Sequence, residues 1–518
     1  MRRAVNGSSS DALRFVRVAL GDEPAWLVGG APRDRALGRE TYDLDVVVEG
    51  STEAAARAIA RVAGSVRGSD RIADDSAARG SASGGGMAQA GASGDGAACF
   101  ELSEEFSGWR VVARDHSWQV DVQPLRGGSL AADLAMRDFT VGAIAEPVVG
   151  GDPIDPLGGL ADLAARRLRM ANASAFTDDP LRVLRLIRLA LDLGFEAEPD
   201  TVRAARAAAP ELNDVSGERV FMELRRILAS ERALEGLRLM DTLGAIAAVV
   251  PELEALRGVR QSRYHHRDVH GHTLEVLEQA IALQADPGAV LQDTELAEPV
   301  AALLAEPLAD ELTRGEALRW GALLHDIAKP LTAGLAPESG GAPKITFIGH
   351  DVRGAEMARE VLGRLRTSER LRAHVAALVR HHLRLGFLVH DPQPLARRTV
   401  FDYLQSTTPV EVDVTLLSIA DRLATRGDRA QEAIAAHMRL ARGMLADALD
   451  WRAVGGPPEP LWRGDALAAA LGIAPGPLLG ELLRELAAAQ YAGEILTRQQ
   501  GLDRARRLLR DGAIDRGV

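Results

Sequence analysis

Apolar and polar positions follow two rhythms along this chain. Asp11 to Leu20 (D-A-L-R-F-V-R-V-A-L) spaces its apolar residues as a short helix does. Trp26-Leu27-Val28 reads as a strand, and a glycine pair follows it. A second strand opens on Asp43-Leu44-Asp45 and closes on Val46-Val47-Val48. Side chains alternate along a strand, so Asp43 and Asp45 share a face. An Ala-rich helix is expected from Thr52 to Val62. Trp109–Ala113 and Trp118–Val122 form a hairpin turning at Arg114 to Ser117. From about 175 the pattern is helical almost to the end, and Pro457-Pro458 marks a linker.

Ser76 to Ala98 breaks the pattern with S-A-S-G-G-G and G-A-S-G-D-G. It offers almost nothing to bury, so a disordered insertion between strands is expected. The fold class expected is α+β. A small mixed or antiparallel sheet forms a head over 1–150, and a helical neck covers 151–255. A helical domain with its own chemistry spans 256–435, and C-terminal helices fill 436–518. A chain of 518 residues is too long for one ordinary core.

Charge and composition narrow the classes. The net charge of −12 excludes a uniformly basic nucleic-acid binder, so RNA contacts must come from local arginine clusters. Lysine occurs only at Lys329 and Lys344. Aromatic content of 4% argues against a base-stacking platform as the main RNA contact. The single cysteine, Cys99, excludes an intramolecular disulfide and suits a reducing cytoplasm. No membrane span is visible. Arg2-Arg3 precedes Ser and Asp rather than an apolar run, so no export signal is expected.

The first candidate site lies between the first two strands. Two carboxylates on one face repel unless a cation joins them, and hard divalent ions such as Mg²⁺ prefer oxygen ligands. Gly29 and Gly30 let the backbone approach a phosphate, and Arg33 adds fixed positive charge. Asp121, on the hairpin's second strand, fits a third carboxylate near the metals or an ordinary strand-edge acid about equally.

The run Gly29-Gly30-Ala31-Pro32-Arg33-Asp34, then Asp43-Leu44-Asp45, resembles the class II nucleotidyltransferase family of tRNA CCA-adding enzymes and bacterial poly(A) polymerases. That family shows G-G-x-V-R-D and D-x-D, and here Pro32 replaces the valine. Arg137-Asp138-Phe139-Thr140 is similar to the family's R-R-D-F-T-x-N-A element, with Met136 and Gly142 as departures. The resemblance ties that element to ribose and triphosphate contacts through Arg137 and Asp138. Asp155-Pro156-Leu157-Gly158-Gly159 with Asp162-Leu163 matches a connector of the same family.

Thr177-Asp178-Asp179-Pro180-Leu181-Arg182 opens a helix capped by Thr or Asp and closed by Gly194, with Leu184, Ile187 and Leu191 as its buried stripe. Asp179 and Arg182 stand three apart and are neighbours on one face. Alone they read as a plain salt bridge. The resemblance to the family's E-D-x-x-R motif makes them base readers that accept from and donate to cytosine or adenine. A mismatched base would leave groups unpaired at about 1–3 kcal/mol each. Arg185 and Arg188 continue the basic face toward a triphosphate or tRNA.

A second set of ligands begins at Tyr264. His272, the pair His325-Asp326, and Asp421 have the order and types of a helical metal site. They resemble the HD phosphohydrolase superfamily. His350, with His381 or its neighbour His382, could hold a second metal, and Lys329 could meet a phosphate. His265, His266 and His270 are second choices. A decayed, metal-holding scaffold is the competing reading of this domain.

Together the motifs imply a template-independent transferase using Mg²⁺ at Asp43 and Asp45, CTP and ATP as substrates, and tRNA as partner. A divalent transition metal would serve the HD site. The rivals are a poly(A) polymerase, an A-only or CC-only enzyme, and an HD phosphohydrolase whose head only binds nucleotide. The poly(A) reading lacks a G-R-R-F-like segment before the hairpin, where Phe100 to Phe106 stands. Arg498, Arg504, Arg506, Arg507 and Arg510 form a basic stretch that fits the tRNA elbow or a solvated helix face.

Overall fold

A computed structural model describes residues 9–41, 43–71, 97–103, 107–337 and 343–511. The chain divides into two compact units, Met1–Glu211 and Leu212–Val518. The α+β class expected from the pattern is borne out.

The first unit is built on a six-stranded sheet: β1 (Ala25–Val28), β2 (Asp43–Val48), β3 (Ala97–Ser103), β4 (Gly108–Ala113), β5 (Gln119–Pro124) and β6 (Glu146–Pro147). Their spatial order is β3-β4-β5-β2-β1-β6. The central pair, β2 and β5, runs parallel and aligns Asp45 with Asp121, while the neighbouring pairs are antiparallel. Strand alternation sorts the two faces. Leu44, Val46 and Val48 join Val120 and Val122 beneath the helices Ser9–Leu20 and Thr52–Arg71. Val28 and Val47 pack on the opposite side with Leu134, Ala143 and Ala145. Asp43, Asp45 and Asp121 therefore emerge on the face that the two helices leave uncovered.

Several boundaries differ from expectation. The helix after Gly50 runs to Arg71 rather than Val62. Of the glycine-rich stretch, residues 76–96 lie outside the described residues. Ala97 and Ala98 begin β3 instead of ending an insertion, because pairing with β4 (Ala97 with Ala113, Cys99 with Val111) satisfies their backbone. The hairpin's second strand starts at Gln119, and Trp118 is buried against the Phe15 ring, 5.5 Å away.

The helix expected to open at Thr177 opens at Arg182. Ala175–Asp178 is a separate short turn, Asp179 is extended at φ −151, and the second helix runs Arg182–Leu193. The Thr177 hydroxyl donates back to the Ser174 carbonyl rather than capping forward, and Asp178 accepts from the Ser174 hydroxyl. Pro180 lies in the break, where its missing N–H costs nothing. Gly194 ends the helix at φ 68 as expected. Leu184, Ile187 and Leu191 are buried.

A buried carboxylate elsewhere in the first unit, Asp162, accepts from the Thr140 hydroxyl at 2.7 Å and from Arg167 and Arg169. Its neighbour Gly159 leaves no room for a side chain, since a Cβ there would lie 2.2 Å from the Thr140 carbonyl oxygen.

The second unit is helical. Val269–Ala285, Arg314–Leu324, His350–Arg364, Glu369–His381 and Glu411–Ala424 pack together, with a small hairpin, Ala333–Ala336 and Lys344–Phe347. Gly464–Leu471, Pro477–Tyr491 and Arg498–Arg510 enclose a separate cluster around Leu467, Leu482, Ala489 and Ala505. Of the C-terminal arginines, Arg504 is bound with Arg398 to Glu485 and Glu494, and Arg498 stacks on Trp462. The free basic stretch expected there is thus reduced at two positions. No helix among the described residues is long and apolar enough to cross a membrane.

Gly159→Ala is expected to cost the first unit about 1–3 kcal/mol, measured as a lower urea midpoint. An unchanged midpoint would contradict the contact with Thr140.

Candidate active sites

In the first unit, β2 places Asp45 beside the backbone of Gly29. A Cβ on Gly29 would lie 2.8 Å from Asp45 Oδ2 and 3.4 Å from Arg137 Nη1. Gly29 also has φ +72, a conformation that favours glycine. A strand carboxylate, an arginine and bare backbone therefore meet in one place. Gly30 starts the helix Gly30–Ala36, and Arg33 on that helix bonds Asp34 at 2.8 Å.

Burial, then the charge of Asp121, raises the Asp45 pKa from 3.8 to about 6; Asp43 adds to this and Arg137 opposes it. Asp121 is gripped by Arg110 through two 2.7 Å bonds. The carboxylate that faces Asp45 is thus already paired, while Arg137 and Arg185 offset the crowding at Asp45 only in part. A divalent cation between Asp43 and Asp45 would supply the missing positive charge, so the donor set fits Mg²⁺.

Arginine–carboxylate pairs hold the surroundings in place. Arg137 donates to Asp133 at 3.0 Å and Arg126 donates to the same carboxylate at 2.8 Å. Burial alone would raise the Asp133 pKa, but Arg126 and Arg137 hold it below the usual range. Arg185 pairs with Asp138 at 2.6 Å, and that charge outweighs the burial of Asp138 to lower its pKa. Arg188 bonds Asp192 at 3.1 Å and is mostly buried. Asp179 and Arg182 do not share one helical face, because Asp179 precedes the helix. Asp179 accepts from the Leu181 N–H, while Arg182 donates to the carbonyls of Ala175 and Met136.

In the second unit, five helices deliver a cluster centred on Asp326. His272 lies in the first turn of Val269–Ala285, behind Asp268, which caps that helix by accepting from Gly271. His325 and His382 end Arg314–Leu324 and Glu369–His381, and His350 begins His350–Arg364. Asp421 comes from Glu411–Ala424. His272, His325 and Asp421 form one group, and Asp326, His350 and His382 a second; within each, the ligand atoms lie within 4.8 Å of one another.

Asp326 faces both groups. Its Oδ2 is 3.1 Å from His325 Nε2 and 3.8 Å from His272 Nε2. Its Oδ1 is 3.3 Å from His350 Nε2 and 3.9 Å from His382 Nε2. A shared local geometry aims three of the rings. The Nδ1 atoms of His325, His350 and His382 contact the carbonyls of Ala322, Phe347 and Val379, each three residues earlier. A carbonyl only accepts, so Nδ1 carries the proton and Nε2 presents its lone pair to the cluster.

Among the described residues, the buried atoms His272 Nε2 and His325 Nε2 have no hydrogen-bond partner, while Asp326 Oδ2 is ion-paired with Lys329 Nζ at 2.6 Å. His272 Nε2 lies 3.0 Å from Asp421 Oδ1 without the alignment of a hydrogen bond. Orphaned imidazole nitrogens converging with the carboxylates of Asp326 and Asp421 fit divalent metal ions. Burial, followed by the charge of His325, lowers the His382 pKa to about 4, so the ring is a neutral ligand at physiological pH.

Of the alternatives at 381 and 382, the structure selects His382. His381 accepts from Arg384 Nε at 3.0 Å and does not join the cluster. The helix phase turns adjacent residues about 100° apart, so only one can enter. Lys329 is buried with Nζ 2.6 Å from both Asp326 and the Gln261 amide oxygen. Burial, ahead of the His272 charge, lowers the His265 pKa to about 3, and its ring sits edge-on to His272. His266 instead pairs with Glu275, and neither it nor His270 belongs to the cluster. Sequence reasoning missed Arg110, which faces Asp121 across the predicted hairpin, and Gln261, which lies far in sequence from the Lys329 it meets.

A row of strand carboxylates against a glycine backbone, and a helical cluster of histidines around one aspartate, define a nucleotidyl-transfer head joined to a metal-binding helical domain. Residues 194–256 match the family described as "Probable RNA and SrmB- binding site of polymerase A", and 269–426 match "HD domain". The chain is 36% identical to an A-adding tRNA nucleotidyltransferase of Deinococcus radiodurans, over 78% of this chain and 85% of that one. It is 31% identical to a CC-adding tRNA nucleotidyltransferase of Thermus thermophilus, over 92% of each. A solved complex of a CCA-adding enzyme with ATP shares the fold, with TM-score 0.59 and 18% identity over 97% of this chain and 96% of that one. The chain belongs to the tRNA nucleotidyltransferase family, in the form that carries an HD domain.

Folded Asp45 keeps its proton up to about pH 6, whereas an unperturbed aspartate releases it near 3.8. The stability from this shift is complete below the lower value and is lost as pH rises through the upper one. In metal-free protein, Asp45→Asn is therefore expected to stabilise the fold at about pH 8 and to change little at about pH 4. Urea denaturation with chelator at both values tests this; equal effects at both would contradict the crowding.

Proposed function

We propose that this protein extends the 3′ end of tRNA with CCA, taking CTP and then ATP without a nucleic-acid template. The observation that carries the reading is Asp45, half-buried beside Asp43 and Asp121 and against the Gly29 backbone. In this reading Asp43 and Asp45 hold Mg²⁺, which would lower the pKa of the RNA 3′-hydroxyl and neutralise the leaving pyrophosphate. Asp121 shapes the field from β5, locked by Arg110. Gly29, Gly30 and Arg33 receive phosphate oxygens, and Arg137 and Asp138 face ribose and triphosphate. Asp179 and Arg182 choose the base, with Arg185 and Arg188 supporting from the same helix. Arg182 gives hydrogens to two carbonyls, and a guanidinium has five to give, so it can serve a base as well.

The working division is a head to about 150, a neck to 255, the HD domain to 435 and a tRNA-holding C-terminal region. With tRNA and nucleotides as partners, the protein works in the cytoplasm. In the second unit, His272, His325, Asp326 and Asp421, with His350 and His382, hold divalent transition metal that would generate hydroxide from water near neutral pH. The reaction there is phosphoester hydrolysis. The water oxygen bonds to phosphorus, one P–O ester bond breaks, and the proton passes to the departing oxygen. The A-adding relative supports a second reading, in which the transferase adds only the terminal adenosine.

Replacing Asp43 and Asp45 with alanine is expected to slow extension of truncated tRNA by about 10²–10³ or more, while phosphoester hydrolysis continues. Undiminished extension overturns the transferase site. Single labelled nucleotides separate the readings: incorporation from CTP and then ATP supports CCA addition, whereas incorporation only from ATP onto tRNA ending in CC supports A addition. Asp326→Asn is expected to abolish opening of 2′,3′-cyclic phosphates and leave extension intact.

A further inference from the structure

The acids of the first unit belong to a row that crosses the sheet, and strand register fixes its order. Phe100 of β3 lies opposite Arg110 of β4, Arg110 opposite Asp121 of β5, and Asp121 beside Asp45 of β2. Residues opposite each other on paired strands point to one face. Val111 and Ala113 of β4 turn into the core beneath the helices, so alternation puts Arg110 on the face that carries the acids. Beyond Arg110 the row ends on Phe100, an exposed apolar residue that brings no charge.

Arg110 grips Asp121 at both oxygens: Nε donates to Oδ1 and Nη2 to Oδ2, each at 2.7 Å. Paired charge-assisted bonds of this kind are strong and fix the geometry of both groups. The Asp121 side chain is 15% exposed, so water competes little for it. Neighbouring arginines take acids outside the row, Arg126 and Arg137 on Asp133 and Arg185 on Asp138. Arg110 differs from these three in binding a carboxylate of the row itself. Unpaired, Asp121 would add a full negative charge beside Asp43 and Asp45. Each of its oxygens keeps a second lone pair, but the charge that would draw a cation is offset by the fork.

We propose that Arg110 is a positioning residue for nucleotidyl transfer: it withholds Asp121 from the metal ligands and keeps the hold of the nucleotide-free head on Mg²⁺ weak. Asp43 and Asp45 are then the protein's ligands, and Asp121 stays in the fork. This rests on the transferase reading of the same site. Mg²⁺ is commonly held by one or two carboxylates and completed by the phosphate oxygens of a substrate. A third free carboxylate would hold the ion without nucleotide. Arg110 therefore ties firm metal binding to the arrival of CTP or ATP.

The test titrates Mn²⁺, which shares the preference of Mg²⁺ for carboxylates, into full-length protein without nucleotide. Free Mn²⁺ is read by electron paramagnetic resonance, so no turnover is needed. Binding lost in protein carrying both Asp43→Ala and Asp45→Ala is that of the head, and the remainder belongs to the second unit. Arg110→Gln is expected to tighten the head's binding about tenfold, because Asp121 is then free to join the ligands. Adding Asp121→Asn to Arg110→Gln removes both charges, leaves two amides that can still bond each other, and should return Kd to the wild-type value. The Mg²⁺ concentration that half-saturates tRNA extension should fall and recover in the same two variants. Unchanged binding in Arg110→Gln overturns the proposal. So does a double variant that binds about tenfold more weakly than wild type, since Asp121 would then be a ligand already. Should Arg110→Gln fail to fold, the double variant against wild type decides alone. If the two alanines remove no Mn²⁺ binding, the metal reading of the head fails, and the proposal with it.

Discussion

Asp45 sits where burial and two neighbouring carboxylates oppose its ionisation. It stays there because β2 is pinned between β1 and β5, with Leu44, Val46 and Val48 locked into the opposite face. Shifting the register by one residue would send three aliphatic side chains into water and bury the acids. The hydrophobic face thus holds the carboxylates in an arrangement that they would not adopt alone. Gly29 completes it, because only bare backbone can lie this close to Asp45 and Arg137.

The arginines around this row restrict its geometry rather than cancel it. Arg110 takes Asp121, Arg126 and Arg137 share Asp133, and Arg185 takes Asp138. Each bonded fork is more directional than a point charge. With almost no lysine in the chain, positive charge here is rigid and placed. The least compensated acid is also the one nearest the glycine turn.

The second unit reaches a comparable imbalance by another route. Three histidines place Nε2 through the same contact, from Nδ1 to a carbonyl three residues back. Helix ends supply such carbonyls because they lack the next turn's N–H. His325 and His382 occupy C-terminal ends, and His350 uses the loop carbonyl before its helix. A local backbone feature, used three times, orients rings that come from separate helices.

Much of this was legible in the chain. Alternation around Asp43-Leu44-Asp45 specified which face carries the acids, since a strand has period two whatever it pairs with. Adjacent His325-Asp326 marked the second cluster. Other features needed the tertiary structure. Residue spacing cannot distinguish His381 from His382, because the choice depends on the rotation of one helix against its neighbours. Nor could it set the start of the helix at Arg182, where Thr177 satisfies the preceding turn instead of the following one. The start of β3, Ala97 and Ala98, was hidden at the end of an Ala- and Gly-rich stretch, because a strand's partner lies outside its own sequence. Local periodicity alone determined the faces and the residue types. Long-range pairing and helix rotation decided which polar groups meet, because those depend on contacts between segments far apart in the chain.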